Sequence, residues 1–348
     1  MRFLYLSCHS ILEYDEVSLL MELGHHTFSP GAYVEPRNKG DATLRPGLQN
    51  LDPFYDRYME DLEAWNQIVS PPADDRKYHL TKEFVDRFDA VIVMHIPDFI
   101  RRNWDAIKHK PVVWRTIGQS ISDRERELAP YRAQGMKIMR YSPKERTIPG
   151  YLGEDWVIRF YKDPEEFKGW TGQTKEVLTF NQSVVERRQA CNGEFYEKAT
   201  QGVPRALYGP GNDGLRGAKG KVPFEQLKQA MREYACYLYL GTHPASYTLN
   251  FIEAMMTGIP MAVPGPRLGN AIYFPGHDLY EAHEIIQGVG HVVDNPVLMK
   301  TALMAMLRAK PSEMQTMSDN ARQRAIELFG KPTIKSQWAQ FISDLEKV

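Results

Sequence analysis

Residues 90–94 read Ala90-Val91-Ile92-Val93-Met94, five apolar side chains with no polar interruption. A strand with one wet face alternates apolar and polar residues, so an unbroken run this short reads as a strand covered on both faces. Helices supply such cover, which directs the chain to an α/β layered fold with a parallel sheet. The flanking sequence agrees. Residues 3–6 form a second short apolar run, Leu12, Val17, Leu19, Leu20 and Leu23 suggest a helix stopped by Gly24, and residues 25–29 read as the next strand. This β-α-β unit implies a parallel pair joined by a right-handed crossover. Residues 81–88 read as a helix feeding the 90–94 strand, and residues 111–114 and 137–141 as further strands. Residues 31–53, rich in Gly, Pro, Asn and Asp, read as a long loop, and residues 54–69 as a helix closed by Ser70-Pro71-Pro72.

The alternation then restarts. Residues 176–180, 204–208, 235–240 and 260–263 read as strands, with residues 184–198, 224–233 and 249–256 as the helices between them. From Pro296 onward the chain reads as helical, with Ser312, Ser318 and Thr333 as candidate caps. Two such series, joined near residues 151–163, suit 348 residues, about two domains of ordinary size. The expected division is 1–155, 156–330 and a C-terminal helical piece over 331–348.

Charge and cysteine usage narrow the function classes. Lys plus Arg number 43 against 44 Asp plus Glu, so the chain carries no global electrostatic footprint for nucleic acid or an anionic membrane. Cys8, Cys191 and Cys236 show no C-x-x-C spacing, which argues against a disulfide framework or structural zinc and for a reducing, cytoplasmic setting. No run of 18 apolar residues occurs, and the apolar run at residues 3–6 is too short for a signal peptide, so membrane insertion is not expected. His25, His26, His277 and His283 lack partners at metal-ligand spacing and read as surface or capping residues. Met255, Met256 and Met261 read as core.

The segment from Leu238 to Pro260 carries the chemistry. It reads strand, polar turn, helix, glycine stop, strand, and its turn lies at the carboxyl end of a parallel strand, where open α/β sheets bind ligands. Ser246, Tyr247 and Thr248 fall at or near the helix start, where unpaired backbone N–H groups favour an anion such as phosphate. Glu253 follows about one turn later. A carboxylate there can accept both hydroxyls of a ribose whose phosphates sit at the helix mouth.

This segment resembles the donor-site motif of GT-B glycosyltransferases, in particular the retaining enzymes of glycosyltransferase family 4. Their pattern is a proline after a strand, then E-G-F-G-x-x-x-x-E-A-x-x-x-G-x-P. His243-Pro244 matches the lead-in, Glu253-Ala254, Gly258 and Pro260 match the end, Tyr247 stands at the aromatic and Leu249 at an apolar position. Ala245 occupies the place of the first glutamate, which in that family contacts the donor sugar, and Ser246 and Thr248 replace the two glycines. The resemblance implies two doubly wound Rossmann-like domains facing across a cleft, acceptor side first and nucleotide side second. It also implies a final helix whose Trp338 and Phe341 cross back to the first domain.

The same resemblance assigns roles. Glu253 would bind the ribose and the backbone from Ser246 to Leu249 the diphosphate. His95, after the 90–94 strand, would touch the transferred sugar; a strand-end cap is its alternative reading. Arg187 or Arg188 would neutralise the leaving diphosphate, a solvated helix face being the alternative. His9, in the loop after the first strand, would be a general base if the enzyme inverts. Residues 209–214 lack phosphate-loop spacing and read as a loop on the nucleotide-base side. The implied donor is a nucleotide diphosphate sugar, a UDP-sugar by expectation, with no bound cofactor or metal. The acceptor hydroxyl is open between a saccharide, a small molecule and a modified DNA base, the last resting on the basic clusters at 101–102, 108–110 and 140–146. A sugar-nucleotide-binding protein without activity is the remaining alternative, because of Ala245.

Overall fold

The computed structural model describes residues 1–30, 53–68, 79–188, 190–270 and 277–347. All but the last residue of the expected 31–53 loop, and the helix stop at 70–72, lie outside the described residues. The first half contains β1 (Arg2–Ser7), α1 (Ser10–Glu22), β2 (His26–Phe28), α2 (Tyr55–Ile68), α3 (Lys82–Val85) and β3 (Ala90–Met94). It continues through α4 (Pro97–Ile107), β4 (Val112–Arg115), α5 (Ser122–Arg132), β5 (Lys137–Arg140) and β6 (Trp156–Val157). Its six strands are parallel, in the order β2-β1-β3-β4-β5-β6. All five residues of β3 are buried, as strands covered on both faces must be.

The second half begins with β7 (Thr174–Phe180), α6 (Gly193–Ala199), β8 (Arg205–Tyr208), β9 (Ala218–Gly220), α7 (Phe224–Glu233), β10 (Tyr234–Leu238) and α8 (Leu249–Thr257). It ends with β11 (Met261–Val263), α9 (Pro266–Gly269), α10 (Ala282–Ile286), β12 (His291–Val292), α11 (Pro296–Arg308), α12 (Pro311–Phe329) and α13 (Lys331–Leu345). Its six parallel strands run β12-β11-β10-β7-β8-β9. The strand order reverses between β1 and β3 in one sheet and between β7 and β10 in the other. At a reversal the flanking connections leave in opposite directions and open a crevice beyond the strand ends.

The chain passes between the sheets twice, and the two passages pair. Lys162 donates its N–H to the Phe329 carbonyl at 3.0 Å and accepts from Lys331 at 3.1 Å. Beyond them α13 packs on the first domain, where Phe341 meets the Trp156 ring edge-on at 4.8 Å. Trp338 is fully buried under the Arg115 guanidinium, which is itself held 2.6 Å from Glu16 of α1.

Several expectations need correcting. The helix expected over 184–198 is confined to α6, because Asn192 adopts a left-handed backbone (φ 53°) and Gly193 packs where a Cβ would lie 2.6 Å from the Val184 carbonyl. Ser312 and Ser318 lie inside α12 and Thr333 inside α13; Pro311 and Pro332, with their fixed φ, start those helices earlier. The cap of α11 is Asn295, which accepts from the N–H groups of Val297 and Leu298 at 2.8 and 3.2 Å. His26 is buried rather than superficial, 2.7 Å from Asp61. Among the described residues, no helix is long and apolar enough to cross a membrane.

Candidate functional site

Each reversal is marked by a strained residue. Among the described residues, the non-glycine positions with positive φ are His95, Ser183 and Asn192. His95 follows β3 at the first reversal and Ser183 follows β7 at the second. A left-handed backbone at a non-glycine residue costs about 1–3 kcal/mol and persists where packing dictates it. At Ser183 the dictating contacts are visible. Its N–H donates to the Pro210 carbonyl at 2.9 Å, and Gly209 and Gly211 run where an added Cβ would lie 2.2 Å from the Asn181 carbonyl oxygen and 2.4 Å from the Ser183 hydroxyl. The glycine-rich 209–214 loop is thus a brace for the loop after β7.

His95 is buried against Trp114, ring centroids 5.7 Å apart, and its Nδ1 has no hydrogen-bond partner. Burial, with Arg124 nearby, pushes its pKa down to about 4. The imidazole is therefore neutral near pH 7, with an unused ring nitrogen. His9 caps α1: its Nδ1 accepts from the Leu12 N–H at 3.4 Å. Burial, then the Lys162 charge, lowers its pKa as well.

Across the cleft, α8 starts beside the end of β7. Asn250 Nδ2 donates to the Phe180 carbonyl at 2.9 Å, and the Thr248 hydroxyl donates to Asn250 Oδ1, tying the helix start to the β7 strand end. The N–H groups of Leu249 and Asn250 have no acceptor among the described residues, leaving the helix mouth open to an anion. Ser246 does not share this role, because its N–H already donates to the Tyr141 phenol of the first domain at 2.8 Å. Tyr247 is buried too, donating its hydroxyl to the Tyr141 carbonyl at 2.7 Å. These two expected anion-site residues instead join the domains.

Glu253, one turn into α8, keeps 5% of its surface. Its Oε1 lies 2.9 Å from Lys162 Nζ, which also pairs with Asp15 of α1 at 3.0 Å. Arg187 has no acidic partner among the described residues, whereas Arg188 is half-exposed and pairs at 3.5 Å with Glu197 of α6, so the two expected cations part company. Ala245 packs on Gly118 of the loop after β4, where a Cβ on Gly118 would sit 2.5 Å from that of Ala245. The space that a glutamate would need at position 245 is filled by the other domain.

Contacts that sequence reasoning missed close one flank of the cleft. Glu281 accepts from Ser142 Oγ at 2.6 Å and pairs with Arg159. Lys144 bridges Glu284 at 2.5 Å and Asp278 at 3.3 Å, and His277 Nε2 accepts the Ser122 N–H at the start of α5 at 3.1 Å. These pairs unite residues more than a hundred positions apart, so no local pattern could announce them. Among the described residues, no group of three or more His, Cys, Asp or Glu is placed to hold a metal ion.

No family model matches the chain, and no curated protein does. Solved structures do. A glycosyltransferase from Rickettsia africae aligns with TM-score 0.65 at 10% identity, covering 99% of this chain and 98% of its own. Anabaena HepE in complex with UDP-glucose aligns with TM-score 0.61 at 13% identity over 99% of this chain and all of its own. TarM of S. aureus, in a complex that includes UDP, aligns with TM-score 0.51 at 13% identity, over 80% of this chain and 57% of its own. The two six-stranded parallel sheets, each with one reversal of strand order, are the GT-B fold, which this chain shares with the Rickettsia africae glycosyltransferase and HepE.

Proposed function

We propose that this chain is a glycosyltransferase that takes a UDP-sugar as donor and passes the glycosyl unit to an acceptor hydroxyl with retention. The observation that carries the reading is the open α8 mouth at the second reversal, with Glu253 one turn in and a neutral, unpartnered His95 at the first reversal. The N–H groups of Leu249 and Asn250 hold the diphosphate, and Arg187 adds charge as the bond from the anomeric carbon to phosphate breaks. Glu253 accepts the ribose hydroxyls. The His95 imidazole hydrogen-bonds the transferred sugar. The second domain carries the donor and the first faces the acceptor; the boundary expected at 155/156 moves past β6, because Trp156 and Val157 pair with β5 of the first sheet.

Retention is favoured over inversion by His9. Its Nδ1 accepts the Leu12 N–H, so the neutral ring carries its proton on Nε2 and keeps no ring nitrogen free to act as a base. In the retaining route the acceptor oxygen attacks from the face that the diphosphate leaves, and the departing phosphate oxygen takes the acceptor proton. The acceptor is a saccharide or small molecule in this reading. The basic clusters that a DNA acceptor would call for are engaged elsewhere: Arg140 is buried on Glu125 and Glu145, Arg101 pairs with Asp98, Lys108 with Asp105 and Arg146 with Glu154. The three cysteines form no disulfide, which suits a reducing cytoplasm.

The test is a hydrolysis screen of nucleotide sugars, followed by the anomeric configuration of the product formed from the best donor. Turnover of a UDP-sugar with its configuration kept is the expected result. Inverted product would transfer the base role to His9, and binding without turnover of any donor would leave the binding-only reading.

A further inference from the structure

Lys162 is a fully buried ammonium on the crossover between the domains. Its backbone is fixed on both sides, by the Phe329 carbonyl and by the Lys331 N–H. Its Nζ stands between one acid from each domain, 3.0 Å from Asp15 Oδ2 and 2.9 Å from Glu253 Oε1. Taking the three groups at their formal charges leaves one net negative charge in a site almost closed to water. A buried charge in excess calls for hydrogen-bond donors. No hydrogen bond to Glu253 Oε2 occurs among the described residues, and that side chain keeps 6% of its surface.

We infer that Lys162 is a positioning residue. By holding Oε1, it fixes the Glu253 carboxylate in one orientation with Oε2 turned to the cleft, where the two ribose hydroxyls of the donor supply the missing donors. Because the same ammonium grips Asp15, the orientation of the ribose-binding carboxylate is referred to the first domain. A glutamate free to rotate would have to be ordered by each incoming nucleotide, which costs affinity. This inference rests on the proposed role of Glu253.

The experiment uses calorimetry on the whole chain with two probes, UDP and 2′,3′-dideoxy-UDP. Wild type should prefer UDP by about ten-fold or more, the discrimination expected of a buried carboxylate that hydrogen-bonds hydroxyls. Lys162→Met should bring the two affinities within about three-fold of each other, with dideoxy-UDP binding nearly unchanged. Should that variant not fold, Asp15→Asn with Lys162→Met keeps the formal charge of the cluster and should give the same convergence. If the variants weaken both probes equally, or keep the wild-type ratio, Lys162 is only a rivet in the crossover and the inference falls while the role of Glu253 stands. If wild type binds both probes alike, the role of Glu253 itself falls, and this inference with it.

Discussion

Replacing Gly118 with alanine places a methyl group in the contact that closes the domains. The new carbon would lie 2.5 Å from Ala245 Cβ and 3.2 Å from its Cα. Non-bonded carbons rest at about 3.5–4.0 Å, so the loops after β4 and β10 must part by about 1 Å. Overpacking of this kind costs about 1–3 kcal/mol. The neighbouring bond from the Ser246 N–H to the Tyr141 phenol, 2.8 Å long, would stretch as the loops separate and add up to about 1 kcal/mol. A total of about 1–4 kcal/mol is roughly a 5- to 900-fold shift away from the closed arrangement. Gly118→Ala should therefore melt several degrees below wild type and bind UDP more weakly. Adding Ala245→Gly moves the methyl from one face of the contact to the other and should recover most of both losses. A Gly118→Ala protein that melts like wild type would refute the reasoning, as would a double variant no better than the single one.

Other outcomes follow from the geometry on the two sides of the cleft. Glu253→Gln should weaken UDP by about ten-fold in calorimetry, and unchanged binding would remove Glu253 from the ribose. Arg187→Ala should cost about ten-fold in UDP affinity and Arg188→Ala less than about two-fold, since Arg188 sits in an exposed pair; equal effects would count against this assignment. The folded state holds the His95 pKa at about 4 against an ordinary 6.5, so between these values it binds fewer protons than the unfolded chain. That contribution is complete above the ordinary value and is lost as pH falls toward the lowered one, by roughly 3 kcal/mol. His95→Asn should flatten this part of the stability profile in denaturant unfolding, and an unaltered slope would place the acid sensitivity elsewhere.

The parts of the fold that were legible in the sequence share a cause. Strands β3, β10 and β11 are short, fully buried runs, β7 is buried over its last four residues, and α7 matches its expected bounds, so local composition carries their signal. Strands β6, β9 and β12 span two or three residues at or near sheet edges and are only partly covered, so no apolar run marks them. The start of α8, with Glu253 one turn in, could be placed from sequence because both lie within one strand–turn–helix unit. Lys162, Gly118 and Tyr141 could not, because each acts on a residue of the other domain. Ser246 shows the consequence: its position at the helix approach suggested a free N–H, and a phenol from the opposite sheet occupies it.

The paired crossovers at Lys162 and Gly330 also set an order of completion. A ribosome that has finished residue 330 has made the second sheet and its helices whole. The first domain is still short of α13, whose Trp338 and Phe341 are entirely buried against it. The half that is synthesised first is thus the half that is finished last, with the Arg115 guanidinium and the Trp156 ring uncovered until the chain returns.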